Sequence, residues 1–105
     1  GIAIEELGRL EDLLQSNAPS EAATKWLAFT LDRAGDVTVN GVSAGSGLVL
    51  RLFSEDGTRL GAAESPAGLT PAMLEASLEP GRYLVAMTLT PESTSRLRNV
   101  IITLN

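Results

Sequence analysis

Two hydrophobic rhythms divide the chain. Up to Asn17, Ile4, Leu7, Leu10 and Leu14 recur at three- and four-residue steps, with Leu13 widening the stripe. Glu5, Glu6, Arg9, Glu11 and Asp12 fill the opposite side, and Glu5 and Arg9 form a favourable i,i+4 pair. This spacing predicts an amphipathic α-helix over residues 1–17. It ends at Gln15-Ser16-Asn17-Ala18-Pro19, because the residue before a proline is driven out of the helical region. Ser20 could cap one further turn through Thr24.

From Lys25 the period becomes two. Leu27, Phe29 and Leu31 alternate with Trp26, Ala28 and Thr30, as in a half-buried strand. A turn at Arg33–Asp36 leads to Val37 and Val39, and Asn40-Gly41 has the composition of a hairpin tip, although Ser43–Gly47 is an equally good loop. Leu48–Phe53 is apolar on both sides except at Arg51, with Val49 and Phe53 opposite the three leucines, which suits a strand covered on both faces. After the Ser54–Gly57 turn, Thr58–Glu64 reads as a weak strand and Ser65–Pro71 as an irregular stretch. Met73–Leu78 and Arg82–Thr90 flank a tight Glu79-Pro80-Gly81 turn. Pro91–Ser95 breaks the chain again before Arg98–Leu104. Turn signals about every ten residues are those of an all-β sandwich or barrel. The expected architecture is mainly β: an antiparallel β-sandwich of about seven strands over residues 25–105, preceded by the helix.

Several of these segments resemble the bacterial pre-peptidase C-terminal domain family. Lys25-Trp26-Leu27-Ala28-Phe29-Thr30-Leu31 followed by Ala34-Gly35-Asp36-Val37-Thr38-Val39 is similar to its opening strands. Gly47–Phe53 with Glu55-Asp56-Gly57 resembles its central strand and turn, and Leu78-Glu79-Pro80-Gly81-Arg82-Tyr83-Leu84-Val85 its turn into a Tyr-bearing strand. The resemblance, over roughly residues 25–104, implies a jelly-roll-like sandwich attached to a secreted or cell-envelope protein. It also implies a non-catalytic role in secretion, maturation or binding to matrix and polysaccharide. Some family members bind calcium through an acidic entry segment; Glu21-Ala22-Ala23-Thr24 offers few ligands here, so no cofactor is expected, calcium being possible but not favoured.

Composition narrows the chemistry. The 105 residues contain no cysteine and no histidine, which removes disulfides, thiolate and imidazole metal sites, and Ser-His or Cys-His nucleophiles. A net charge of −5 and scattered arginines make nucleic acid a poor partner. No apolar run approaches the ~20 residues needed to span a bilayer, so membrane insertion is not expected. All basic residues but Lys25 are arginine which, with many Ala, Gly and Leu, points to a GC-rich bacterial genome. A chain starting at Gly1 is expected to be processed or part of a longer protein. The carboxylates fall in turns or on the solvated side of the helix, and enzymatic activity is not expected.

Trp26 is the informative position. If Leu27, Phe29 and Leu31 face the interior, Trp26 faces outward and leaves a large apolar group on a sheet surface. The helix stripe of Ile4, Leu7, Leu10 and Leu14 also lacks a partner. One solution lays the stripe over Trp26. In another, helix and Trp26 together, or the helix alone, form an interface with a partner protein or with the rest of the parent chain. In a third, Trp26 packs at the sandwich edge. The expected function is therefore an extracytoplasmic accessory domain acting through protein–protein contacts. The alternatives are a maturation or secretion appendage without a ligand, and a carbohydrate- or matrix-binding module that would need Trp26 exposed.

Overall fold

A computed structural model describes residues 3–16, 24–43, 47–65, 71–89 and 98–105. The Ser20 cap, the Pro91–Ser95 break, Arg96 and most of the Ser65–Pro71 stretch lie outside them. Among the described residues nine strands run in chain order: β1 (Ile4–Arg9), β2 (Leu13–Ser16), β3 (Thr24–Leu31), β4 (Gly35–Ser43), β5 (Leu48–Ser54), β6 (Arg59–Ser65), β7 (Ala72–Leu78), β8 (Gly81–Leu89) and β9 (Arg98–Leu104). They form a five-stranded sheet, β1-β3-β8-β5-β6, and a four-stranded sheet, β2-β9-β4-β7. Every pairing is antiparallel except β1 with β3, which is parallel.

Alternation fills the space between the sheets. Leu27, Phe29 and Leu31 of β3, Leu48, Leu50 and Leu52 of β5, and Val85 and Met87 of β8 meet Val37 and Val39 of β4 and Val100 and Ile102 of β9, all essentially sealed from solvent. Phe29 and Tyr83 are direct cross-strand partners and stack with ring centroids 5.6 Å apart. The Tyr83 hydroxyl donates to the Glu79 carbonyl at 2.6 Å, which gives a mostly buried phenol its partner and ties the β7–β8 turn to the core.

The expected N-terminal helix is absent among the described residues, 3–16. Residues 4–9 pair with β3 and residues 13–16 with β9, so one segment borders both sheets. The Leu10 N–H bonds to the Thr30 carbonyl at 2.8 Å and holds the bend between them. Gly8 sits at φ 90°, and the β1 register shifts between Glu6 and Arg9. A glycine within a helix costs about 1 kcal/mol relative to alanine, and helical stability in proteins comes mostly from packing an amphipathic face. As a strand, the segment instead supplies backbone partners to the flanks of β3 and β9. The two extra strands, β1 and β2, account for nine where seven were expected. Asn40-Gly41 is likewise no hairpin tip but the interior of β4; a Cβ at Gly41 would stand 2.9 Å from Leu50 Cδ2 and 3.2 Å from Leu48 Cδ2.

Candidate functional site

Strand pairing separates the residues that the sequence groups as a stripe. Leu10 is 2% exposed in the core, and Leu7 and Leu14 pack against that core. Ile4 remains at the surface, opposite Trp26 in the β1–β3 register, while the exposed Leu13 lies on β2 of the other sheet. These two share the outer face of the five-stranded sheet. No helix covers Trp26 among the described residues. Its neighbour is Phe53, two strands away, with ring centroids 5.5 Å apart and ring planes inclined by 38°.

The registers explain how those rings meet. Trp26 lies beside Ala86, and Ala86 lies beside Arg51. One step along, Ala28 lies beside Leu84, and Leu84 beside Phe53. The two alanines leave room above the sheet, and the rings close over it. That accounts for Ala28 at 0% and Ala86 at 2% exposure on a face turned away from the core. At the far end of the same face, Leu60 is the extra residue where the β5–β6 register shifts, and it is 42% exposed. An apolar band thus crosses the sheet from Ile4 through Trp26 and Phe53 to Leu60. Phe53 and Leu60 were not singled out from the sequence. The alternation of Val49 and Phe53 against the leucines was visible, but the β3-β8-β5 order that brings Phe53 to Trp26 was not.

Charges border the band unevenly. Arg82 bonds to Glu6 and reaches Glu55 at 3.2 Å, closing one side with a surface network. These contacts, the Glu6 hydrogen bond foremost, raise the guanidinium pKa above its already high ordinary value. On the other side, Arg51 and Arg59 have no carboxylate within ion-pair distance among the described residues. Thr24 and Thr88 share a hydrogen bond of 2.8 Å across the next row of the face.

The remaining polar groups serve the framework. Glu5 bridges the two sheets, accepting from Lys25 Nζ at 3.0 Å and from Ser16 Oγ at 2.9 Å. Partial burial acts to raise its pKa, but the hydrogen bonds and the Lys25 charge outweigh it, and the net shift is downward. Asp56 accepts from Ser54 Oγ and from the Thr58 N–H, and the first of these bonds does most to lower its pKa. Asp32 pairs with Arg9 at 3.0 Å, and Asp36 accepts from Ser77 at 2.6 Å. No cluster of three or more acidic side chains able to hold a metal forms among the described residues. A shallow depression of about 380 Å³ on the opposite sheet is lined by Asp36, Thr38, Glu75, Ser77 and Asn105, and much of its polar lining is bonded internally.

No family model matches the chain, and no curated protein does. Solved structures do. The pre-peptidase C-terminal domain of a collagenase from Bacillus anthracis aligns with 100% of this chain and 97% of its own, at TM-score 0.71 and 12% identity. PliG of Aeromonas hydrophila, a periplasmic inhibitor of g-type lysozyme, aligns over 98% and 100% at TM-score 0.63 and 12% identity. CorA of Methylomicrobium album BG8, a surface-associated copper-binding protein, aligns over 98% and 100% at TM-score 0.57 and 7% identity. At these identities the likeness concerns the fold, which is a pre-peptidase C-terminal-like β-sandwich.

Proposed function

We propose that the chain is a non-catalytic accessory domain of a bacterial secreted or cell-envelope protein, and that it works by holding a protein partner, or the remainder of its parent chain, against the Ile4–Trp26–Phe53–Leu60 band. The observation that carries the reading is the Trp26–Phe53 pair, placed on an outer sheet face next to two arginines without acidic partners in the described chain. Buried aromatics and arginine dominate binding energy at protein interfaces. Arg51 and Arg59 would favour a partner that presents carboxylates beside apolar side chains. The periplasmic and surface-associated settings of two of the similar structures support a place outside the cytoplasm.

A carbohydrate-binding role fits less well, because ring planes inclined by 38° do not form a flat platform for a sugar chain. The test is capture from envelope and secreted fractions with the wild-type chain, Trp26→Ala, Phe53→Ala and, as a control on the opposite sheet, Met73→Ala. A partner retained by wild type and Met73→Ala but lost with both band variants supports the reading. Equal capture by all four removes the band from the interface. Capture by none favours a maturation or secretion appendage without its own ligand.

A further inference from the structure

The sandwich has two kinds of sheet border. On one side the N-terminal segment wraps both sheets, with Gly8 and a register shift in β1 and only four residues in β2. On the other, β6 and β7 each pair with a single strand among the described residues, and an edge strand has a second row of backbone N–H and C=O groups. Those two edges differ in charge. β7 carries Glu75 and no basic residue, so pairing it with itself would add like charges. β6 carries Arg59 near its start and Glu64 near its end, both exposed, and neither has an oppositely charged partner among the described residues.

We propose that the β6 edge docks a second copy of this chain, the two β6 strands running antiparallel about a two-fold axis at Ala62. The two five-stranded sheets would then continue into one. Pairing Ala62 with Ala62 of the partner subunit keeps outward residues beside outward residues, which strand alternation requires. It also sets the small Ala62 side chains together at the axis and brings Arg59 and Leu60 opposite Glu64 of the partner subunit, twice by symmetry. Unlike charges across strands favour this register. The exposed Leu60 gains cover, and the apolar bands of the two copies abut. The inference concerns the sheet edge; it shares Arg59 and Leu60 with the proposed partner surface but does not involve Trp26 or Ile4.

Sedimentation equilibrium of the 105-residue chain over a concentration series tests it. The expected result is a reversible dimer. Arg59→Glu and Glu64→Arg, both at exposed positions, should each weaken it by about tenfold or more. The double variant Arg59→Glu/Glu64→Arg should recover the wild-type association, a rescue that a merely structural role would not give. Trp26→Ala should leave the dimer unchanged. A monomer at every concentration, a dimer indifferent to Arg59→Glu, or failure of the double variant to recover would overturn the proposal. So would loss of the dimer in Trp26→Ala, which would move the contact onto the sheet face.

Discussion

Replacing Gly8 with alanine separates the strand from the helix by sign. In a helix interior, glycine to alanine stabilises by roughly 0.5–1 kcal/mol, because it lowers backbone entropy in the unfolded chain. At Gly8 the backbone φ is 90°, in the left-handed region, where an L side chain costs roughly 1–2 kcal/mol. A Cβ built there meets no atom within 4 Å, so side-chain crowding contributes nothing and the effect is purely conformational. Setting the strain against the smaller unfolded-state gain leaves a net destabilisation of about 1 kcal/mol. Urea unfolding followed by Trp26 fluorescence reads it out, because Trp26 is half-buried against Phe53 and becomes solvated on unfolding. With an m-value of about 2 kcal/mol per molar, the midpoint should fall by roughly 0.5 M at unchanged slope. A rise in the midpoint would refute the bent strand and restore the helix.

Three further outcomes follow from the same geometry. Gly41→Ala should destabilise by roughly 1–2 kcal/mol in thermal melts, since its Cβ would press on Leu48 and Leu50, both fully buried and with little room to yield. Tyr83→Phe should cost about 1 kcal/mol in the same assay by leaving the Glu79 carbonyl without its hydroxyl donor. The lowered pKa of Glu5 makes its contribution to stability present above the unfolded-state carboxylate value and lost as pH falls through the lower folded value. Glu5→Gln should therefore flatten the acid limb of the stability–pH curve and leave its alkaline limb unchanged, as measured by urea midpoints across pH.

The strands from Lys25 onward were legible because alternation there is nearly unbroken and turns recur where glycine and proline stand. Trp26 was rightly placed on an outer face by that phase. The N-terminal segment misled for a specific reason. The register shift at Glu6–Arg9 moves the inward phase from Leu7 to Leu10, a three-residue step, and the bend before β2 then delivers Leu14 four residues later. A shifted, bent strand thus reproduces helical spacing, and only Gly8 betrays it. The surface band was half visible. Ile4 and Trp26 could be named, but their alignment with Phe53 depends on β8 lying between β3 and β5, a long-range order no local pattern carries. Sequence left the turn open between Asn40-Gly41 and Ser43–Gly47; Gly41 lies inside β4, where the close approach of Leu48 and Leu50 favours glycine.

The strand order also constrains how the molecule can be made. β8 is the middle strand of its sheet, and β9 lies between β2 and β4, although among the described strands of the sandwich these two come latest in the chain. Until they emerge, β3 and β5 have no common neighbour, and the N-terminal β2 waits for residues some ninety positions later, since Leu13 pairs with Thr103. A fragment ending before β8 completes neither sheet, and one ending before β9 lacks the centre of the four-stranded sheet, so closure of the sandwich waits for the last long-range pairings. Any product truncated before β9 carries an unfilled gap between β2 and β4 in the four-stranded sheet.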